Sequence, residues 1–188
     1  VLILLLDSIG SLSVIIFFLT FLLLIIFSKL SDNSYKMSSF GFIYISLSII
    51  SIEWLRSSND GLLSLTIILS TIFISDISAY FFGNILGGPK LFKIISPNKT
   101  LSGFISSILF GTMWFFLITL NFSSSYSIKN LYLGFGIILL SITGDLFVSF
   151  LKRKAKIKDT GNILPGHGGV LDRLDGIFFG IPIGFIFM

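Results

Sequence analysis

The chain has 188 residues, of which 54% are hydrophobic and only 12% are charged, and its net charge is +4. Soluble domains carry about 25% charged residues, so this composition excludes an ordinary soluble fold and indicates a protein surrounded largely by lipid. The absence of cysteine also excludes disulfides and thiolate metal sites.

Six apolar stretches are candidates for crossing a bilayer, which takes about 20 helical residues. The predicted spans are 8–28, 37–52, 61 to about 82, 100 to about 121, 131–151 and 176–188. The first has neither a basic leader nor a small-residue cleavage pattern, so it is not predicted to be a signal peptide. The last is either a short span or an incomplete one. The sequence predicts an all-α fold, a polytopic transmembrane helical bundle in one membrane-embedded domain (1–188) with a polar cytoplasmic-side cavity.

Basic residues are distributed very unevenly between the two sides of these spans. Eleven lysines and arginines follow the first, third and fifth spans, whereas only Arg56 and Lys129 lie on the other side. Cytoplasmic loops of membrane proteins are enriched in Lys and Arg, so the basic loops are predicted to face the cytoplasm. Topology therefore accounts for the positive charge, and no nucleic-acid partner is expected.

Two acidic residues lie inside predicted spans. Asp76 precedes Gly83 by seven residues, and Asp145 precedes Lys152 by seven, which places both roughly 10 Å below the cytoplasmic edge at about 1.5 Å per residue. A carboxylate facing lipid costs on the order of 3 kcal/mol, so both are expected to face protein or water. They could converge on one cation; the alternatives are pairing with a lysine or capping a helix break.

The segment from residue 144 to 175 concentrates charge and glycine. It holds six of the thirteen basic residues, four of the nine acids, five of the eighteen glycines and the single histidine. Asp172 and Asp175 are spaced to share a helix face, with Arg173 turned aside. Carboxylates and substrate phosphates are the usual ligands of magnesium, whereas helix capping explains one of these aspartates well but both poorly. The Pro-Gly-His-Gly-Gly run at 165–169 predicts a tight turn whose amides can approach an anion.

The loop after the third span carries further polar residues. Tyr80 follows Asp76 by four residues and shares its helix face. The Ser-Pro-Asn-Lys-Thr run at 96–100 offers two hydroxyls and an ammonium at the start of a helix, an arrangement suited to phosphate, although it lacks P-loop spacing. Further along, Lys152, Arg153 and Lys158 supply cations near the glycine-rich turn, while Lys154 and Lys156 are interpreted as the basic flank of a span.

Residues 149–175, SFLKR-x4-KD-x-G-x2-LP-x-HGGV-x-DRLD, closely resemble the signature of phosphatidate cytidylyltransferases (CDP-diacylglycerol synthases). The D-x-x-A-Y-x-x-G pattern at 76–83 and S-P-x-K-T at 96–100 resemble earlier motifs of that family, in the same order. The resemblance covers about residues 61–188. It implies a membrane enzyme that condenses CTP with phosphatidic acid, giving CDP-diacylglycerol and pyrophosphate. It also implies contact with membrane lipids and Mg2+ as the cofactor.

The resemblance also implies roles for individual residues, carried over by motif position. The implied metal ligands are Asp145 and Asp172, supported by Asp76 and Asp175. The implied catalytic residues are Asp145, Asp172, Lys152 and Arg173. The implied substrate-binding residues are Ser96, Lys99, Thr100, Ser149, Arg153, Lys158, His167, Gly168 and Gly169. A second metal ion and a homodimer are left open.

The chain departs from the family pattern at two carboxylate positions. Val148 stands where a glutamate commonly precedes the signature serine, and Ser102 replaces the glutamate of a Thr-x-Glu-Gly motif. Family members are usually longer at the amino end, so part of the lipid-entry region is expected to be absent here. Two other functions stay open: a cation or proton transporter, indicated by buried acids at matched depth, and a catalytically impaired structural relative, indicated by the two departures.

Overall fold

The computed structural model describes residues 21–23, 25–26, 29, 35–92, 95–122, 128–161, 169 and 171–187. The helices are α1 (Tyr35–Ser57), α2 (Gly61–Ile85), α3 (Leu101–Phe122), α4 (Ile128–Lys154) and α5 (Leu171–Phe187). Between α2 and α3, strands β1 (Lys90–Phe92) and β2 (Ser96–Thr100) pair as an antiparallel hairpin in which Lys90 is opposite Thr100.

Four helical segments of this described part are long and apolar enough to cross a membrane. They are Ser39–Ser57, Gly61–Ile85, Leu101–Phe122 and Ile128–Lys154. These segments correspond to the second to fifth predicted spans, so the all-α polytopic class is confirmed and the chain is an integral membrane protein. The first predicted span falls largely outside the described residues, and the region of the sixth belongs to α5, a helix of 17 residues.

The helices extend past the ends predicted from apolarity alone. Helix α1 continues through Glu53 and Arg56, and α4 continues through three basic residues to Lys154. Charged side chains are compatible with a helix whose end lies in a polar zone, and cations in the last turn interact favourably with the negative end of the helix dipole. Charge therefore marks where a span leaves the apolar zone and not where its helix stops.

The chain divides into two compact units, residues 1–47 and 48–188. In the first unit the rings of Phe21 and Phe42 lie 5.4 Å apart. The second unit has its own hydrophobic core, whose most deeply buried members are Ile68, Ile72, Phe115, Ile137 and Ile181. The single domain inferred from sequence stays a prediction.

Close helix contacts in the second unit form at glycines. A Cβ atom at Gly144 of α4 would lie 2.5 Å from the ring of Phe179 in α5, and one at Gly180 would lie 2.7 Å from Ile72 in α2. Small residues let membrane helices approach closely enough for van der Waals packing, which takes over where burial from water no longer drives association. These contacts fix α5 against α2 and α4, the helices that also carry the polar residues described below.

A proline inside α5 is accommodated by a hydroxyl from α1. Pro182 has no N–H to donate to the carbonyl oxygen of Phe178, four residues earlier. The fully buried Ser48 donates its Oγ–H to that oxygen at 2.5 Å. Because an unsatisfied backbone group in an apolar interior costs about 1–3 kcal/mol, this bond stabilises the irregular helix.

Candidate active site

A cavity of about 780 Å³ lies between α2, the β-hairpin, α3, α4 and α5. Its polar lining residues are Asp76, Tyr80, Asn84, Lys90, Ser96, Asn98, Lys99, Thr100, Ser107, Asp145, Asp172, Arg173 and Asp175. The four aspartates singled out from the sequence therefore face one common space, although they come from three different helices. Such a concentration of charge in an apolar bundle indicates a site for a polar ligand.

Asp145 of α4 is paired with Lys99, which the hairpin carries into the cavity. The Lys99 ammonium donates to Asp145 Oδ2. Ser149, one turn further along α4, donates to Asp145 Oδ1 at 3.4 Å. The Lys99 and Asp145 side chains stay 29% and 37% exposed, so each can exchange its partner for a ligand group, the ammonium for a phosphate and the carboxylate for a metal ion.

Asp172 is held on both of its oxygens. Its Oδ1 accepts a hydrogen bond from Lys152 Nζ at 2.8 Å, and its Oδ2 accepts the backbone amides of Thr160 at 2.8 Å and Gly169 at 2.9 Å. Burial acts to raise the pKa of Asp172, but these hydrogen bonds outweigh it and lower the pKa to about 2. An ionised Asp172 thus ties the end of α4 to both flanks of segment 161–168.

Asp76 and Asp175 complete the acidic lining in different ways. Asp175 is buried, and its Oδ1 accepts the amide of Gly176 at 2.8 Å. Asp76 is exposed to the cavity, and its side chain forms no hydrogen bond or ion pair with the residues that the structure describes. Tyr80, one turn later, lines the same cavity, as their spacing predicts.

The donor set fits magnesium bound partly through a ligand's phosphates. Within the described ranges, no three His, Cys, Asp or Glu side chains are grouped closely enough to hold a metal ion, so a cage made only of protein groups is not formed there. Magnesium commonly uses one or two carboxylates together with substrate phosphates and water. Asp76, with its open carboxylate, and Asp145, with its partly exposed one, suit that mode better than Asp172, whose two oxygens are engaged.

The Ser-Pro-Asn-Lys-Thr run differs locally from its predicted helix start. Ser96 to Thr100 form strand β2, and helix α3 begins only at Leu101. The Thr100 hydroxyl accepts the amide of Gly103 at 3.2 Å and so caps α3. Ser96 and Lys99 both line the cavity, where the Lys99 ammonium is paired with Asp145.

The remaining site residues lie in several environments. Arg173 lines the cavity, which is wide enough to be reached from adjacent positions of α5, and its placement off the helix face of Asp172 and Asp175 stays a prediction. Arg153 is exposed, and its Nε donates to the carbonyl oxygen of Ile95 in the hairpin at 3.3 Å. Lys158 is exposed and is not among the lining residues. His167 and Gly168 lie outside the described residues.

Sequence reasoning did not select four polar residues that line the cavity, namely Asn84, Lys90, Asn98 and Ser107. The sequence places Lys90 only in a basic loop, whereas in the structure its Nζ donates to the carbonyl oxygen of Asn98 at 3.5 Å across the hairpin. Asn98 lies within the Ser-Pro-Asn-Lys-Thr run, so its position between Ser96 and Lys99 could have identified it. No comparable signal pointed to Asn84, which lies in the last turn of α2.

The two departures from the family pattern have clear structural surroundings. Val148 is 4% exposed and packs in the interior. Ser102 uses its hydroxyl to donate to the carbonyl oxygen of Gly87, which steadies the turn that leads into the hairpin. Neither position supplies a carboxylate, and among the residues that the structure describes the acidic groups lining the cavity are the four aspartates.

The fold and the cavity define a class: an integral membrane protein whose helices enclose a carboxylate- and lysine-lined site. The sequence profile of the cytidylyltransferase family matches residues 2–188. The chain therefore belongs to the cytidylyltransferase family.

Relatives agree with this assignment. The chain is 36% identical to a phosphatidate cytidylyltransferase of Aquifex aeolicus, over 83% of this chain and 58% of that one. It is 34% identical to the enzyme of that name from Staphylococcus haemolyticus, over 86% of this chain and 64% of the relative. It is 47% identical to the one from Rickettsia bellii, over 58% of this chain and 51% of the relative. The chain thus spans between half and two thirds of the length of these relatives.

Proposed function

We propose that this protein transfers the cytidylyl group of CTP to phosphatidic acid, giving CDP-diacylglycerol and pyrophosphate in phospholipid biosynthesis. The observation that carries the proposal is the common cavity of Asp76, Asp145, Lys99 and Arg173 within a bundle of membrane-spanning helices. A triphosphate and a phosphate monoester are both strongly anionic, and lysine and arginine side chains are suited to hold them. The family membership and the names of the relatives support the same reaction.

The reaction needs positioning and charge neutralisation more than a protein nucleophile. A phosphate oxygen of phosphatidic acid attacks the α-phosphorus of CTP, and the bond from that phosphorus to the oxygen bridging to the β-phosphorus breaks. Pyrophosphate leaves with that oxygen and its electron pair. Lys99 and Arg173, both in the cavity lining, would hold phosphate oxygens as the charge is redistributed.

Magnesium would be held by Asp76 and Asp145, with the phosphates of the substrate as further ligands. When bound, it would neutralise the triphosphate and stabilise the departing pyrophosphate. Asp172 would act mainly through Lys152 and the flanks of segment 161–168, because its oxygens already accept three hydrogen bonds.

The proposal includes a location and an orientation. The basic loops face the cytoplasm of a bacterial cell, where CTP is available, and the protein lies in the inner membrane. The excess of Lys and Arg on one side of the spans supports this orientation. Fusing a reporter that is active only in the cytoplasm to residue 158 or to residue 129 tests it: activity at 158 and none at 129 is expected.

The function is tested with the protein reconstituted in vesicles that contain phosphatidic acid. Radiolabelled CTP and magnesium should give labelled CDP-diacylglycerol, and UTP or ATP should give at least tenfold less product. The same vesicles report proton and cation flux, and light scattering in detergent reports whether the protein is a homodimer. Ion flux without labelled lipid would instead support a transporter, and neither signal would support a catalytically impaired relative.

A further inference from the structure

The end of helix α4 forms a defined turn. The amide of Lys156 donates to the carbonyl oxygen of Arg153, and the amide of Ile157 donates to that of Lys152, both at 3.0 Å. These two bonds constitute a Schellman motif, in which the chain reverses direction at the residue after the helix cap. We call residues 154–157 the lysine turn.

The residue at the reversal point is unusual. Lys156 has φ 57°, and among the described residues only Asp60 is another non-glycine with a positive φ. Glycine normally occupies this position, because the Cβ atom of any other residue is sterically unfavourable in the left-handed region. An unfavourable backbone conformation that keeps a particular side chain points to a use for that side chain.

The position of the lysine turn indicates what that use is. The membrane-spanning helix α4 ends at Lys154, so the turn lies where the span meets the polar headgroup zone. Lys154 and Lys156 are exposed and form no ion pair with any residue in the described part of the chain. Ile157 is 47% exposed beside them. Cations flanking an exposed apolar side chain match a surface of acyl chains and phosphates.

We infer that the lysine turn is a docking surface for anionic membrane lipids, with Lys154 and Lys156 on headgroup phosphates and Ile157 in the adjoining apolar layer. The turn begins two residues after Lys152, whose partner Asp172 lines the cavity. Anionic lipid would therefore be concentrated next to the cavity. Lipid binding by the lysine turn does not depend on the proposed function. Only the benefit of this binding, a supply of anionic lipid substrate, rests on the proposed function.

The test measures which lipids the full protein retains. The protein is purified from mixed micelles with equal fractions of phosphatidylglycerol and phosphatidylcholine, and bound lipids are counted by native mass spectrometry. The variants are Lys154→Gln/Lys156→Gln, Lys156→Gly and Lys156→Arg, with Lys129→Gln at the opposite end of α4 as the control. A lysine near an anionic surface contributes about 1 kcal/mol, which corresponds to roughly a fivefold change in affinity.

We expect wild type to bind more phosphatidylglycerol than phosphatidylcholine. The ratio of the two bound lipids should fall about fivefold in Lys156→Gly and further in the double variant. Lys156→Arg and Lys129→Gln should keep it. Lys156→Gly should melt at or above the wild-type temperature, because glycine relieves the left-handed conformation, so lost binding would not reflect lost folding.

Three results would overturn the inference. The first is an unchanged lipid preference in the double variant. If CTP binding weakens in that variant instead, the two lysines bind nucleotide phosphates and not lipid headgroups. The second is a loss in Lys156→Arg equal to that in Lys156→Gly, since charge would then not be the cause. The third is an equal loss in the Lys129→Gln control.

Discussion

Lys99 of the hairpin and Asp145 of α4 are 46 residues apart in the chain and form an ion pair inside the cavity. The pair keeps an ammonium and a carboxylate in position before any ligand arrives. Both side chains are partly exposed. In the proposed reaction a phosphate of the triphosphate would therefore take the place of Asp145 beside Lys99, and the metal ion would take the place of Lys99 beside Asp145. Without a ligand, each residue of the pair thus occupies the position that a ligand group would take beside the other residue.

Removing one half of this pair should affect substrate binding and the reaction differently. We expect Lys99→Met to raise the KM for CTP by about 10–100-fold, because a charge-assisted hydrogen bond contributes about 1.5–3 kcal/mol. Asp145→Asn should lower kcat on the order of 100-fold through loss of a metal ligand. Steady-state kinetics of lipid labelling measures both effects. In the double variant the losses should be less than additive because the residues are in contact; fully additive losses would argue against a functional pair.

Asp76 should determine the magnesium requirement. Its carboxylate faces the cavity without a described side-chain partner, so we expect Asp76→Asn to raise the magnesium concentration for half-maximal activity at least about tenfold. Asp159→Asn is the matched control, since Asp159 is exposed and is not part of the cavity lining. Superimposable magnesium titrations of wild type and Asp76→Asn would remove Asp76 from the metal site.

Asp172 should hold the backbone amides of Thr160 and Gly169, which donate to its Oδ2. We expect Asp172→Asn to increase the hydrogen-exchange rates of these two amides about fivefold or more, since hydrogen bonds to a neutral side chain are weaker and open more often. Hydrogen–deuterium exchange detected by mass spectrometry measures the rates. Unchanged exchange at both amides, with Asp159→Asn again as control, would show that the charge of Asp172 does not hold them.

The bond from Ser48 to the Phe178 carbonyl should contribute to stability only because Pro182 is present. We expect Ser48→Ala to reduce stability in detergent by about 1–3 kcal/mol, which is roughly 2–4 °C in melting temperature per kcal/mol for a chain of this size. In a Pro182→Ala background the restored amide of residue 182 can satisfy the same carbonyl, so Ser48→Ala should cost less. An equal cost in both backgrounds would separate Ser48 from the proline.

Much of the fold could be predicted because apolar runs of the necessary length determine which segments span the membrane. The hairpin could not, because Ser96 to Thr100 include proline and asparagine, which are depleted in strands, and the partner strand has only three residues. Ser48 illustrates the same limit: nothing local relates it to Phe178, 130 residues away.

The sequence predicted which residues belong to the site better than it predicted which partners they bond. Charge inside apolar sequence identified Asp76 and Asp145, since such residues are costly unless they face protein or water. Which partners they take depends on how the helices pack: Lys99 reaches Asp145, whereas Asp172 is engaged by Lys152 and two amides. The assignment of Asp145 and Asp172 to one magnesium ion stays a prediction, and the hydrogen bonds of Asp172 favour Asp76 as the partner of Asp145.

Transfer of label from CTP to lipid tests the proposed reaction most directly when the label's position is varied. The protein in phosphatidic acid vesicles is supplied with magnesium and with CTP labelled at either the α- or the γ-phosphorus. We expect α-label to enter the lipid and γ-label to appear only in released pyrophosphate, with both signals formed on the order of 100-fold more slowly by Asp145→Asn. Lipid labelled from the γ-position, or no labelled lipid from wild-type protein, would contradict the proposal.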